Sequence, residues 1–484
     1  MTPRSRPLLL ATAAAVALSA LWLPWAVAAV PASPRSPKAP PAPTVAAPAT
    51  VPAVTDIERF EVYKTFRTAF DAAKFTDALP LAQRLVALTE QQYNAEDRQL
   101  VNPLTNLATV YYRLGDYANA ETTYLRALRV IEGKLAGADR MLMRPLMGLG
   151  ETYLATKRHA EGATALKRAV DLSRNLDGLF NVEQLDILDP LIECYVALDR
   201  LADAEKENQY GFRVAESSYG RNDLRMLEPL DRLARWNEFV GRYTTARGLH
   251  ARALQIAENG AGRGKPQSVA ALRGLARSYY LEFIYGPEET EQTPDPFATS
   301  SALPQIGQNE NRLNPDGERA LRFALEALAK VEPPDQHARG ETLVELGDWY
   351  LIGGAPAKAN EAYREGWNEL NAAGNDATAM LATPRRLAYR PPSASISRAR
   401  PSDPGSFEEH FVEVRFRVLP DGKVVDVETV GTDAPAAIEK ATLFAVRKAR
   451  YAPRIENGQP VLTEGVTLRE RVLVKAPQAP APAP

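Results

Sequence analysis

YYRLGDYANAETTYLRAL, residues 111–128, is the stretch on which the fold turns, because its pattern recurs along the chain with a constant period of 42 residues. Taking Ala108 as reference, the equivalent small or apolar residue is Phe66, Ala108, Gly150, Ile192, Ala234 and Ala276. A second series runs Ala78, Ala120, Gly162, Ala204 and Ala246, and a third runs Leu85, Ala127, Ala169, Gly211 and Ala253. Pro103, Pro145 and Pro229 share one register, at which a proline in a first helical turn loses no hydrogen bond. Four series in phase predict one helical hairpin per repeat. Small residues sit where the two helices cross, and larger ones such as Leu107, Tyr111 and Tyr124 fill the space around them. A hairpin of this kind buries its apolar face only by stacking on a neighbour.

With Gly115 and Tyr117 at the interhelix turn and Ala120 opening the second helix, the stretch resembles the tetratricopeptide repeat. The 42-residue spacing resembles the longer variant of kinesin light chains. Two further copies depart from strict spacing. One has its first helix at Val269 to Tyr280 and its second at Glu318 to Ala329, split by an acidic, Pro-bearing insertion near 284–315 that reads as a loop. The last, ETLVELGDWYLIGGAPAKANEAYREGW (341–367), restores Gly347, Tyr350, Ala359, Tyr363 and Gly366. The expected array is about seven hairpins over 56–373, a mainly α, helical-hairpin solenoid.

Upstream, Arg4 and Arg6 precede an apolar run from Leu8 to Val30, interrupted by Pro24 and ending in small residues, so residues 1–29 read as a secretory signal. Cleavage after Ala28 or Ala29 releases an exported chain; the same run, retained, is long enough to anchor in the inner membrane. No cysteine follows it for lipidation. Residues 30–55 are Pro and Ala with few core formers, an extended tether reaching roughly 70 Å. Cys194 is the only cysteine, expected as a small buried apolar residue.

Downstream, residues 374–405 lose periodicity and carry Arg385, Arg386, Arg390, Arg398 and Arg400, a basic linker expected to be a solvated connection. From 406 the period becomes two. Val412, Val414, Phe416 and Val418 point one way while Glu413, Arg415 and Arg417 point the other, which predicts a half-buried strand. Pro420, Asp421 and Gly422 turn into a second strand, KVVDVETV. Pro435 to Arg450 reads as a helix burying Ile438, Ala441, Ala445 and Ala449 with Phe444 beside them, and Asn457-Gly458 precedes a last strand at Val466 to Val474. This strand-strand-helix-strand unit, residues 406–476 before a Pro/Ala tail at 477–484, is a small α+β domain. In VEVRFRVLPDGKVVDV, AVRKARYAP and ENGQPV it resembles the TonB C-terminal domain. The resemblance implies a periplasmic setting and a strand edge offered to a peptide of an outer-membrane transporter. It also implies an SxxxH motif in the membrane segment for motor coupling, and here the residue four after Ser19 is Leu23, with no His in the segment.

No catalytic constellation emerges. His159, His250, His337 and His410 are scattered, and His250 occupies the packing register of Tyr124. NGAGRGKP (259–266) lacks the first Gly of a phosphate loop and the Ser or Thr after Lys265, and reads as a turn between repeats. A net charge of -2 supplies no field for nucleic acid. Neither cofactor nor metal is expected, and the chain reads as a binder of proteins or peptides rather than an enzyme. The first helix of each tetratricopeptide hairpin lines the concave face, which nominates Asn106, Thr109, Tyr112, Arg113, Glu151, Glu193, Arg235, Arg273 and Arg277 as a peptide groove. Acids early and arginines late would orient a peptide by charge. The expected role is a periplasmic adaptor of the TonB family with an outer-membrane partner, touching the inner membrane only if the leader is retained. The alternative is an envelope scaffold without transducing work.

Overall fold

A computed structural model describes residues 54–132, 139–286, 313–395 and 407–475. The expected leader, the Pro/Ala tether, most of the insertion near 284–315 and the Pro/Ala tail lie outside these residues. Among those described, no helix is long and apolar enough to cross a membrane. The chain divides into two compact units at Arg221/Asn222.

The first unit holds four hairpins: α1 (Val54–Asp71) with α2 (Phe75–Tyr93), α3 (Val101–Arg113) with α4 (Tyr117–Glu132), α5 (Met143–Ala155) with α6 (His159–Asp177), and α7 (Leu185–Ala197) with α8 (Leu201–Tyr219). The small-residue series lie where helices cross, and Ala78, Ala108, Ala120, Ala127, Ala169 and Ala204 are fully buried. A Cβ on Gly150 would stand 2.4 Å from Leu166 Cγ, and one on Gly162 would stand 3.0 Å from Cys194 Sγ, so glycine here permits helix contact rather than bending. Cys194 is buried as expected, and burial, with Glu193 adding to it, pushes its thiol up to about 11.

Two further 42-residue series become visible in the backbone. Ala73, Gly115, Lys157, Asp199 and Gly241 all take positive φ at the turn inside each hairpin, three of them without being glycine. Asp97, Asp139 and Asp223 cap the short 3-10 turn that opens the following repeat, each carboxylate accepting the backbone N–H two residues on. Second helices of successive hairpins are further tied by Arg126 to Glu90, Arg168 to Glu132 at 2.5 Å and Arg174 to Glu207 at 3.0 Å.

The second unit holds three hairpins and the terminal module. The hairpins are α9 (Leu227–Phe239) with α10 (Tyr243–Ala261), α11 (Val269–Tyr285) with α12 (Pro315–Leu328), and α13 (Gln336–Ile352) with α14 (Pro356–Ala373). Among the described residues this completes fourteen helices in seven hairpins, the last ending at Ala373. NGAGRGKP runs from the last turn of α10 into the connection to α11, with Gly262 and Gly264 at positive φ.

Of the segment read as a solvated basic linker, residues 374–395 belong to the fold, while Arg398 and Arg400 lie outside the described residues. Residues 385–388 form β1 (Arg385–Ala388), which pairs antiparallel with β4 (Arg450–Ala452). The Arg385 guanidinium donates to both Asp348 oxygens at 2.8 and 3.0 Å, and Tyr363 Oη donates to the same carboxylate at 2.7 Å. The charge that suggested a solvated stretch therefore serves a buried counter-ion. Leu387, Ala452 and Ile455 share one core cluster with Val344, Leu351 and Tyr363 of the last hairpin, so the terminal module is packed on the array rather than suspended from it.

In the module, β2 (Phe407–Val418) is central in an antiparallel sheet ordered β3-β2-β7, flanked by β3 (Val424–Thr432) and β7 (Thr463–Lys475). Val412, Val414, Phe416 and Val418 are buried as their alternation predicts, against α15 (Ala436–Lys448). The inward face of α15 runs through partly buried Ile438, buried Thr442, partly buried Ala445 and buried Val446, with buried Ala449 just past its end. Ala441 and Phe444 point outward, with Phe444 62% exposed, a rotation from the expected face because the i, i+4, i+8 row is the one that meets the sheet. Asn457 and Gly458, both at positive φ, close the hairpin of β5 (Arg454–Glu456) and β6 (Gln459–Val461).

Candidate peptide-binding surfaces

In the first unit the nominated residues divide by what their side chains already do. Asn106 is buried and accepts from Arg144 at 3.3 Å, while Thr109 donates to the Thr105 carbonyl and lies 2.9 Å from Tyr124 Oη. Both belong to helix packing. Tyr112, Arg113, Glu151 and Glu193 form a common electrostatic patch. Burial pushes the Glu151 carboxyl above its ordinary range against the pull of Arg113, and does the same to Glu193 against His159. The Tyr112 phenol is raised by its burial and by Glu151. Neither Glu151 nor Glu193 is in a contact ion pair among the described residues, and each feels its basic neighbour, Arg113 or His159, only at longer range.

In the second unit the three nominated arginines are not available as a positive face, which corrects the expected charge gradient. Arg235 donates to Asp231 at 2.6 Å one turn away. Arg273 donates to Glu345 at 2.7 and 2.9 Å and to Glu341 at 3.1 Å. Burial works against the Arg273 charge, but the two carboxylates outweigh it and hold the guanidinium above its ordinary value. Arg277 donates to Glu238 at 2.7 Å and stands 3.8 Å from Asp231. Despite burial, which pushes the other way, Arg235 and Arg277 hold Asp231 below its ordinary value, and Arg277 with His250 does so for Glu238. The sequence reading missed these acids. Glu341 and Glu345, four apart on α13, were the available signal.

His250 is fully buried with Nε2 3.0 Å from Glu238, in the packing position its register predicts. His337 reaches Glu341 at 3.3 Å, and His410 lies 3.5 Å from Asp433. Among the described residues no group of three His, Cys, Asp or Glu side chains could hold a metal ion.

The terminal module offers backbone rather than side-chain chemistry. Its sheet has two outer edges, β3 and β7, and its solvent face is a ladder of cross-strand charges, including Arg471 on Glu409 and Arg415 with Glu428 at 3.6 Å. Arg469 stacks over the Phe411 ring, 3.8 Å from its centre. Unpaired N–H and C=O groups along such an edge are a template for an added strand.

Two family descriptions match this chain: Gram-negative bacterial TonB protein C-terminal over residues 409–469, and tetratricopeptide repeat over residues 67–133. No curated protein matches it significantly. Similar solved structures include the kinesin light chain TPR-like repeats of Podosopora anserina, 15% identical over 43% of this chain and 98% of that one, TM-score 0.39. They also include the apo form of RapI, 12% identical over 65% and 98%, TM-score 0.39. A third is BtubC from P. vanneervenii, 16% identical over 62% and 90%, TM-score 0.30. By the two family matches and its seven described hairpins, the chain carries a tetratricopeptide array followed by a TonB-type C-terminal domain.

Proposed function

We propose that this chain, a tetratricopeptide array carrying a TonB-type C-terminal domain, is a periplasmic protein-binding adaptor whose terminal domain engages an outer-membrane protein. Export rests on the signal-like first 29 residues, and no catalytic role is proposed. The observation that carries the reading is the shared core of the last hairpin and the terminal module, joined through Leu387 and Arg385. Within the unit that begins at Asn222, the last hairpin and the terminal module are both of protein-binding type and share a core, which is what an adaptor needs and a flexible tether does not supply.

The test is photocrosslinking in intact cells, with a crosslinking amino acid placed at Thr467 on β7, Val430 on β3 or Tyr112 on the array, and products read by mass spectrometry. Outer-membrane proteins captured from Thr467 or Val430 support the proposal. Crosslinks only from Tyr112 would leave the array as the working part and overturn the outer-membrane role. The scaffold alternative is favoured by one feature, Leu23 in place of the motor-coupling histidine. It requires the crosslinks to be unchanged when a protonophore collapses the proton gradient.

A further inference from the structure

The two edges of the terminal sheet are not equivalent. β3 is bulged, its register against β2 shifting between Glu413 and Val414 and again between Arg415 and Arg417, with Asp426 at a φ of 51°. Bulges of this kind twist an edge away from flat pairing. By contrast, β7 pairs regularly with β2 from Val466 to Lys475. At its C-terminal end its other side is met by the chain itself: the Leu473 N–H donates to the Ala394 carbonyl at 2.7 Å, and Ser395 is the antiparallel bridge partner of Val472. Among the described residues, no other backbone pairs with that side of β7.

The segment making this contact is latched by one carboxylate. Tyr389 Oη donates to Glu470 Oε2 at 2.8 Å, and Ser395 Oγ donates to Oε1. Tyr389 and Ser395 are buried and Glu470 is 9% exposed. Behind the latch, Arg390 Nε donates to the Ile284 carbonyl and Tyr280 Oη to the Leu387 carbonyl. None of 389–395 falls within the family match at 409–469.

We propose that residues 389–395 are an internal strap standing in for a partner strand on the β7 edge, and that the partner replacing it is an extended segment with a hydroxyl or carboxamide donor opposite Glu470. This deepens the adaptor reading and rests on it. A strand that lifts the strap without replacing its donors leaves a buried carboxylate unsatisfied, a penalty larger than a typical net hydrogen bond. The incoming segment must therefore bring a backbone acceptor for Leu473 and a side-chain donor for Glu470, and we take hydroxyl or carboxamide because both donors it replaces are neutral hydroxyls. An acidic residue there would set two carboxylates together and is excluded.

The experiment uses the full chain with Ser395→Cys and Val472→Cys. Opposed residues of antiparallel strands lie within disulfide range, so the oxidised protein is locked and the same protein reduced is its control. A second variant, Tyr389→Phe, keeps the ring in the core and removes one latch bond. The probe is a fluorescent peptide copying residues 389–395, YRPPSAS, alongside one ending in Ala, read by anisotropy. We expect the Ser peptide to bind the reduced protein and Tyr389→Phe about tenfold more tightly than the locked form, and the Ala peptide to lose about tenfold. Amide exchange at Leu473 should quicken in Tyr389→Phe while β2 amides stay protected. Equal binding to locked and unlocked protein, equal binding of the two peptides, or an unchanged Leu473 amide overturns the strap. Peptide binding as expected with no outer-membrane crosslink from either Thr467 or Val430 overturns the adaptor reading and leaves the strap standing.

Discussion

Tyr124 lies against Gly148 so closely that a Cβ on the glycine would stand 2.2 Å from the ring carbon bearing the hydroxyl. His250 and Gly274 repeat the arrangement at the same register, with 2.3 Å to the imidazole. A large ring on the second helix of one hairpin is thus received by a glycine on the first helix of the next. Tyr124 is 2% exposed and lies 2.9 Å from Thr109 Oγ1, so it has no easy way to retreat. We expect Gly148→Ala to destabilise the chain by about 1–3 kcal/mol in urea unfolding, the usual cost of overpacking, and Tyr124→Leu in the same chain to recover part of it.

The turn inside the third hairpin places Lys157 at a φ of 61°, where its neighbour in the repeat series is Gly115. A left-handed non-glycine residue costs about 1–2 kcal/mol, and glycine returns part of that as lost chain entropy. Lys157→Gly should therefore stabilise by about 0.5 kcal/mol or more and Gly115→Ala should destabilise by about 1 kcal/mol. Paired denaturation curves of the two variants check the opposite signs.

Arg385 and Arg235 test what an arginine is worth in two settings. Arg385→Met leaves the Asp348 carboxylate buried beside Tyr363 without its cation, and the loss should be about 3–5 kcal/mol. Arg235 is 47% exposed in a pair one helical turn long, so Arg235→Ala should cost less than about 1 kcal/mol. If Arg385→Met proves as mild as Arg235→Ala, the docking of β1 on the last hairpin does not rest on this pair.

Acidity should act in opposite senses at two carboxylate groups. Glu151 and Glu193 are raised by burial, so the folded state holds their protons more tightly than the unfolded one. Their favourable contribution is present below the ordinary value of 4.5 and is lost as pH rises through the folded values above it. Asp231 and Glu238 are lowered by Arg235, Arg277 and His250, so theirs is present above the ordinary values and lost as pH falls through the folded ones. Glu151→Gln should stabilise the chain near neutral pH and leave little gain at pH about 4. Glu238→Gln should destabilise it near neutral pH. Urea titrations at both pH values separate the two cases.

The limits of reading this site from the chain are visible in particular residues. The register of Glu151 and Glu193 put them on first helices, one repeat apart, and in the structure they lie on α5 and α7, without a contact ion pair among the described residues. The same register placed Arg273 and Arg277 without showing that Glu345 and Glu238 would neutralise them. Periodicity reports which face a side chain occupies; it carries no information about the residue across from it when the two lie 72 positions apart, as Arg273 and Glu345 do.

Read alone, the sequence determined the helical-hairpin array and, in the terminal module, the two long strands, the helix and the last strand, though not the short β4, β5 and β6 between them. Each of these is a local or nearest-neighbour property, since helical period, turn chemistry and stacking all repeat along the chain. Tertiary structure alone decided that Arg385 belongs to a buried pair, that β1 joins β4, and that Ser395 lies on β7. Those contacts have no period and join positions as far apart as 395 and 472. Their positions are set by packing and by the need to satisfy buried charge, which act only after the chain has folded around them.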